Sequence, residues 1–147
     1  MRRVLASLIV VAGLALVVTA TGSAAGSAAT VKTRHGKLGT FLVGTNGRTL
    51  YLFEKDKTKK STCSGDCATA WPPLLTKGKP KAAGKAKASL LGTTKRADGK
   101  TQVTYKGHPV YYFVQDKKAG DTKGQGVDGF GAEWYVMSPS GKKIDED

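Results

Sequence analysis

Short runs of aromatic and β-branched residues alternate with turn residues along most of the chain. Residues 40–43 and 49–53 are two such runs, and they flank a turn sequence at 44–47 that contains Asn-Gly. Because Asn and Gly readily adopt the positive φ angles of tight turns, this pattern predicts a β-hairpin. Further strand candidates lie at 89–94, 101–105, 110–114 and 133–137. Since no stretch beyond the N-terminal segment keeps a 3.6-residue apolar period, the pattern predicts an all-β fold.

An internal repeat organises these strands. Residues 47–56 match residues 107–116 at a constant offset of 60 positions, and a tryptophan follows each copy, at Trp71 and Trp134. We interpret the copies as two tandem β-meander or hairpin units packed as one small domain, because neither could bury its apolar face alone. The predicted boundaries are about 38–75 for repeat one, 76–88 for a basic linker and about 89–144 for repeat two.

The repeated strand has two apolar faces. Alternation places Tyr51 and Phe53 on one face and residues 50 and 52 on the other, and the second copy has the same parity. Such strands should be covered on both sides. The residues expected to form the shared aromatic centre are Tyr51, Phe53, Tyr111, Phe113, Trp71 and Trp134.

An aspartate follows each repeated tyrosine. Asp56 and Asp116 lie five positions after Tyr51 and Tyr111, an odd number that turns each carboxylate away from the ring in its own strand. We predict that the strand ends first and that each Asp accepts hydrogen bonds from backbone N–H groups of the following turn. A functional Tyr–Asp pair is the alternative.

The N-terminal pattern predicts export. Arg2 and Arg3 precede an apolar run at 4–18, and small residues follow; this is the pattern of a secretory signal peptide, assigned to 1–29 and followed by a mature domain at 30–147. Cleavage after Ala25 fits as well as cleavage after Ala29. An uncleaved anchor is the alternative, although the apolar run is shorter than the roughly 20 residues that span a bilayer. We expect a secreted, extracytoplasmic protein without a transmembrane helix in its mature part.

Two cysteines, Cys63 and Cys67, are the only ones in the chain. In an exported protein their default state is a disulfide, which here would fix the turn at Gly65. The alternative is a redox pair or a soft-metal site, with His35 or His108 as a third ligand. Because His108 aligns with an arginine in the other repeat, the repeat does not require imidazole there, and we predict no metal and no cofactor.

Nothing in the sequence predicts a catalytic residue. Residues 124–129 spell G-x-G-x-x-G, but the dinucleotide fingerprint has meaning only between a strand and a helix, and this segment lies between strand candidates. We interpret it as a flexible loop. Since no nucleophile-elbow string occurs, we predict that the protein is not an enzyme.

The chain is strongly basic, with 24 Lys and Arg against 11 Asp and Glu and a net charge of +13. Lysines spaced by Gly, Ala and Pro dominate the linker, a composition that predicts a mobile segment. Such a segment attracts anionic envelope polymers or an acidic lipid surface through counterion release; the alternative is that its charge only keeps it solvated. Because the linker has no aromatic residue to stack bases, dedicated nucleic-acid binding is not expected. The tentative polyanion-binding residues are Lys77, Lys79, Lys81, Lys85 and Lys87.

Two Tyr-x4-Asp motifs occur together with the string CSGDCATAWPP at 63–73. Across about residues 38–144 the chain resembles the bacterial secreted repeat proteins with a Y-x4-D motif. Many members are lipoproteins with a lipobox cysteine, which this chain lacks, so the resemblance implies free secretion but no established activity. We predict an exported, non-catalytic binding or structural module of the cell envelope. The alternative is a redox or metal-handling accessory protein that uses Cys63 and Cys67.

Overall fold

The computed structural model describes residues 27–145, and the statements below concern that range. Its strands are β1 (Thr30–Gly36), β2 (Gly39–Val43), β3 (Tyr51–Phe53), β4 (Lys81–Ala82), β5 (Leu91–Lys95), β6 (Thr101–Tyr105), β7 (His108–Pro109), β8 (Asp128–Gly129) and β9 (Ala132–Val136). One short helix, α1 (Asp66–Ala70), and a 3-10 turn at Ala88–Leu90 complete the described secondary structure. The all-β prediction is confirmed. No helix in this range is both long and apolar enough to cross a membrane.

The strands form three small sheets, with orders β2-β1-β4, β5-β6-β7 and β3-β9-β8. The hairpin β1–β2 of repeat one corresponds to the hairpin β5–β6 of repeat two, and each pairs five residues with five in antiparallel register. The sequence pattern missed β1, because Lys, Thr, Arg and His occupy most of this strand and leave little apolar alternation.

The Asn-Gly turn predicted between β2 and β3 is present. The N–H of Gly44 donates to the carbonyl of Arg48 at 2.8 Å, and Val43 pairs with Thr49 in an antiparallel bridge. Beyond the turn, β3 leaves β2 and pairs with β9 near the C-terminus. The predicted strand at 110–114 is wrong in extent, since regular pairing ends at β7 and Tyr111 forms only isolated bridges.

The two repeats meet where their equivalent tyrosines pair. Tyr51 and Tyr111 form an antiparallel bridge, with N–H to carbonyl distances of 2.8 Å and 3.0 Å in the two directions. A contact between equivalent positions of two copies is what a twofold relation between them produces. The repeats therefore pack head to head around this bridge.

Two hydrophobic cores lie on the two faces of the repeated strand. Tyr51 and Phe53 belong to an aromatic core, and Leu50 and Leu52 belong to an aliphatic core. This is the alternation that the sequence indicates. In the second copy the pattern stops early, because Val114 is 45% exposed.

Hydrogen bonds to neighbouring strands order the linker at two places. The prediction of an unstructured mobile segment is therefore wrong. Strand β4 pairs in parallel with β1, and Pro80 is buried. Farther along, the backbone N–H of Lys85 donates to Thr33 Oγ1 at 3.0 Å, and that of Lys87 donates to Tyr105 Oη at 2.9 Å. Backbone hydrogen bonds to neighbouring strands hold this segment, although its own side chains bury little apolar surface.

Candidate functional site

The six aromatic residues predicted for the shared centre lie together in one core. Four rings form a continuous stack with 4.0 Å between successive centroids, in the order Phe113, Trp71, Trp134 and Phe53. Tyr51 meets Trp71 edge-on at 5.4 Å. Tyr111 meets Trp134 edge-on at 5.1 Å. Because rings from the two repeats alternate along the stack, neither repeat can complete this core alone.

The tyrosines and aspartates of the repeated motif bond across the repeats. Tyr51 donates its phenolic O–H to Asp116 Oδ2 at 2.6 Å, and Tyr111 donates to Asp56 Oδ2 at 2.6 Å. Asp116 is fully buried, and Asp56 is 5% exposed. Each tyrosine is therefore bonded to the aspartate of the other repeat.

The second oxygen of each carboxylate accepts a backbone N–H from the loop that follows. Asp56 Oδ1 accepts from the N–H of Thr62 at 2.7 Å, and Asp116 Oδ1 accepts from the N–H of Lys123 at 3.0 Å. The structure thus contains the predicted turn contacts and, in addition, a Tyr–Asp hydrogen bond between the repeats. Strand parity excludes an Asp partner within the same strand, but it says nothing about the other copy.

Burial and hydrogen bonding raise the pKa of both tyrosines in these pairs. Burial, followed by the hydrogen bond to Asp116, raises the pKa of Tyr51 far above its ordinary value. Burial and the hydrogen bond to Asp56 raise the pKa of Tyr111 in the same way. Burial also raises the pKa of Asp116, although the hydrogen bonds from Tyr51 and Lys123 oppose this shift. Both phenols stay protonated at neutral pH and serve as hydrogen-bond donors within the core.

The loop with the G-x-G-x-x-G string is anchored to the core, so its interpretation as a flexible loop is wrong. The N–H of Gly124 donates to Tyr51 Oη at 3.1 Å. A Cβ atom at Gly124 would lie 2.8 Å from the Trp71 ring, closer than side chains pack. Ser61 occupies a comparable place in the other loop, with its Oγ 2.7 Å from Tyr111 Oη. Ser61 belongs to none of the sequence motifs. Gly124 belongs to the G-x-G-x-x-G string, which predicted a flexible loop and not a contact with the core.

The cysteines form the predicted disulfide, which is buried beside the aromatic stack. Cys63 is 1% exposed and Cys67 is 7% exposed. The carbonyl of Cys63 accepts a hydrogen bond from Arg96 Nη2 at 2.6 Å, which ties this loop to repeat two. Helix α1 contains Cys67 and ends next to Trp71, so the disulfide fixes the segment that delivers this ring to the stack.

The histidines lie in β1 and β7, and His35 is exposed with its Nδ1 3.2 Å from Thr40 Oγ1. Within residues 27–145, no three His, Cys, Asp or Glu side chains are grouped closely enough to hold a metal ion.

The five linker lysines are all exposed. Within the described range none of their ammonium groups forms a salt bridge or a hydrogen bond. Lys77 and Lys79 line two adjoining clefts of about 610 and 370 Å³, which share Gly78 and Thr101 and which we call the linker groove, whereas Lys81, Lys85 and Lys87 line neither cleft. Its lining also includes Lys95 and Lys100, a single acid at Asp98, and the apolar residues Leu75, Pro80 and Leu91.

Comparison with known proteins identifies both repeats. Residues 32–75 and 92–138 each match the model of a family described as a secreted repeat of unknown function. No curated protein and no solved structure matches the chain. The first match begins within β1, the strand that the sequence pattern missed.

Proposed function

We propose that this chain, which belongs to the family of secreted repeats of unknown function, is a non-catalytic envelope module that binds anionic polymers. Family membership makes it an extracytoplasmic protein. The observation that carries the proposal is the linker groove, because it combines exposed lysines with an ordered backbone. Ordering the backbone in advance lowers the entropic cost of binding an extended ligand.

Charge distribution supports an anionic partner at this groove. Lys77, Lys79, Lys95 and Lys100 line its two clefts against one acid, Asp98. Since the ammonium groups of Lys77 and Lys79 are uncommitted, neither has to break an existing ion pair on binding. Two adjoining clefts that are lined by both lysines and apolar residues favour a flexible polymer over a flat lipid surface.

Replacing the five linker lysines by glutamine should lower the salt concentration at which the protein elutes from an anionic matrix. Each lysine that no longer contacts an anionic group of the matrix reduces the number of counterions released on binding. The salt dependence of binding should therefore also become shallower. The measurement compares retention at several salt concentrations for the two proteins. A matched control replaces five exposed lysines elsewhere, at 55, 57, 59, 106 and 142. Equal losses in both variants would assign the charge to general solubility and contradict the proposal.

The disulfide has a structural role in this proposal. Thiol–disulfide exchange needs an attacking thiolate to reach one of the sulfur atoms, whereas the two cysteines are 1% and 7% exposed. Tyr51 and Tyr111, whose pKa values are strongly raised, lie in the same buried core. This burial supports a non-catalytic module over a redox accessory protein.

Export by a signal peptide is part of the proposal, although residues 1–26 lie outside the described residues. Ala29 is 3% exposed, its N–H donates to Thr76 Oγ1 at 2.9 Å, and its carbonyl accepts from the N–H of Lys81 at 2.8 Å. Cleavage after Ala29 would remove these contacts, so they favour cleavage after Ala25. The intact mass of the exported protein should correspond to a chain that starts at Gly26. A chain that starts at Thr30 would contradict this assignment.

A further inference from the structure

A basic cleft opens where the first hairpin of repeat one meets a loop of repeat two. Its walls are the β1–β2 turn and residues 118–122, and its volume is about 550 Å³. Arg34, Lys37 and Lys118 provide positive charge, while Leu38 and Phe41 supply apolar surface. We call this space the hairpin cleft. It shares no lining residue with the linker groove.

A second cleft lies beside the hairpin of repeat two. There the β5–β6 turn faces residues 60–64, and the space is smaller, at about 390 Å³. The guanidinium group of Arg96 forms three hydrogen bonds in this second cleft. It donates to Ser61 Oγ at 3.0 Å, to the carbonyl of Cys63 at 2.6 Å and to Gln102 Oε1 at 2.8 Å. Oxygen atoms of the protein therefore satisfy the cation in the second cleft.

Arg34 in the hairpin cleft has no such partners. Within residues 27–145 its guanidinium forms no salt bridge and no hydrogen bond. It lies against the backbone of Gly120, where a Cβ atom would be only 2.8 Å from Arg34 Nε. Because Gly120 has no side chain, the guanidinium of Arg34 packs against its backbone beside the opening.

The acid in the hairpin cleft does not neutralise Arg34. Asp121 Oδ2 accepts the backbone N–H groups of Lys117 and Lys118 at 3.0 and 3.2 Å, which fixes the loop. Among the described residues no ion pair joins Asp121 to Arg34. The cleft therefore keeps a net positive charge, and the planar guanidinium of Arg34 offers hydrogen-bond donors at its opening.

We propose that the hairpin cleft binds the phosphate group of a small organic ligand. A guanidinium binds a phosphate through two parallel hydrogen bonds, and Lys37 and Lys118 add charge without requiring a fixed geometry. Phe41 and Leu38 offer apolar contact to the carbon part of the ligand. The phosphate oxygens fill the role that the Ser61 and Cys63 oxygens fill in the second cleft.

The test is a nuclear magnetic resonance titration of the exported protein with glycerol 3-phosphate at constant ionic strength. We expect saturable shift changes at the Arg34 Nε–H and at the backbone amides of Lys118 and Gly120. Arg34→Gln should weaken binding about tenfold or more, because a charge-assisted hydrogen-bond pair is lost. Arg34→Lys should weaken it less. Lys57→Gln is the matched control and should leave the affinity unchanged, because Lys57 is exposed and lines neither the hairpin cleft nor the linker groove.

Three outcomes would overturn the proposal. Shift changes that grow linearly and spread over all surface lysines would indicate screening and not a site. An unchanged affinity in Arg34→Gln, with the amide spectrum showing a folded protein, would remove Arg34 from any site. Tighter binding of acetate than of glycerol 3-phosphate in a parallel titration would exclude phosphate as the recognised group.

Discussion

Truncation of Trp134 to alanine is expected to lower the free energy of unfolding by about 3–5 kcal/mol, which is enough to unfold a domain of this size. Trp134 is fully buried, and its ring stacks between Trp71 and Phe53 with 4.0 Å between centroids on both sides. Its Nε1–H also donates to the carbonyl of Gly129 at 3.0 Å. The substitution therefore removes the central link of the stack and leaves a cavity between the repeats.

Two variants calibrate this result in denaturant unfolding experiments. Trp134→Phe keeps one ring in the stack and should lose less stability than Trp134→Ala. Phe130→Ala removes an aromatic side chain that is 46% exposed, and it should change the free energy of unfolding by no more than about 0.5 kcal/mol. If Trp134→Ala were as stable as Phe130→Ala, the stack would not be the element that joins the repeats.

Replacing Asp116 is expected to have the second largest effect. Asp116→Leu leaves the O–H of Tyr51 and the N–H of Lys123 without an acceptor in a buried site, and each unsatisfied donor costs about 1–3 kcal/mol. Asp116→Asn should cost less, about 1–2 kcal/mol, because the amide oxygen can still accept the N–H of Lys123. Its NH2 group cannot accept the phenolic proton of Tyr51. Asp98→Asn is the matched control, since Asp98 is exposed and accepts only the backbone N–H of Lys100 at 2.9 Å.

The pH dependence of stability should differ between the wild type and Asp116→Asn. Burial raises the pKa of Asp116 in the folded state, so the folded protein binds this proton more tightly than the unfolded chain does. The contribution of Asp116 to stability is therefore complete below the unfolded pKa of about 4, and it is lost as the pH rises through the raised folded pKa. The difference in stability between the wild type and Asp116→Asn should shrink over that window. A constant difference would show that Asp116 is not perturbed by burial.

Local patterns were sufficient to predict the fold class and the repeat. Alternation around Tyr51 and Phe53 separates the two cores, and the presence of only two cysteines in a chain with an export pattern predicts the disulfide. These features depend on residues near one another in sequence. Strand β1 has a polar composition, and β4 is held by backbone hydrogen bonds, so neither produces a pattern of apolar positions.

The sequence could not predict that each tyrosine bonds to the aspartate of the other repeat. Tyr51 lies 65 positions from Asp116, and Tyr111 lies 55 positions from Asp56. Spacing within one copy excludes a bond within that copy, but only the packing of the two copies reveals the partner. The sequence could not predict the hairpin cleft either, because Arg34 and Gly120, which meet there, come from different repeats. Its uncommitted guanidinium contrasts with that of Arg96, which lies beside the other hairpin and donates to oxygen atoms of the protein.

Cross-repeat bonds join the two copies into one unit, and a double-mutant cycle on Tyr51 and Asp116 tests this role most directly. Unfolding free energies are measured for the wild type, Tyr51→Phe, Asp116→Asn and the double variant. A buried bond between the two side chains predicts a coupling energy of about 0.5–3 kcal/mol, with the double variant losing less stability than the sum of the single losses. Strictly additive losses would contradict the account, because they would show that the two side chains stabilise the domain independently.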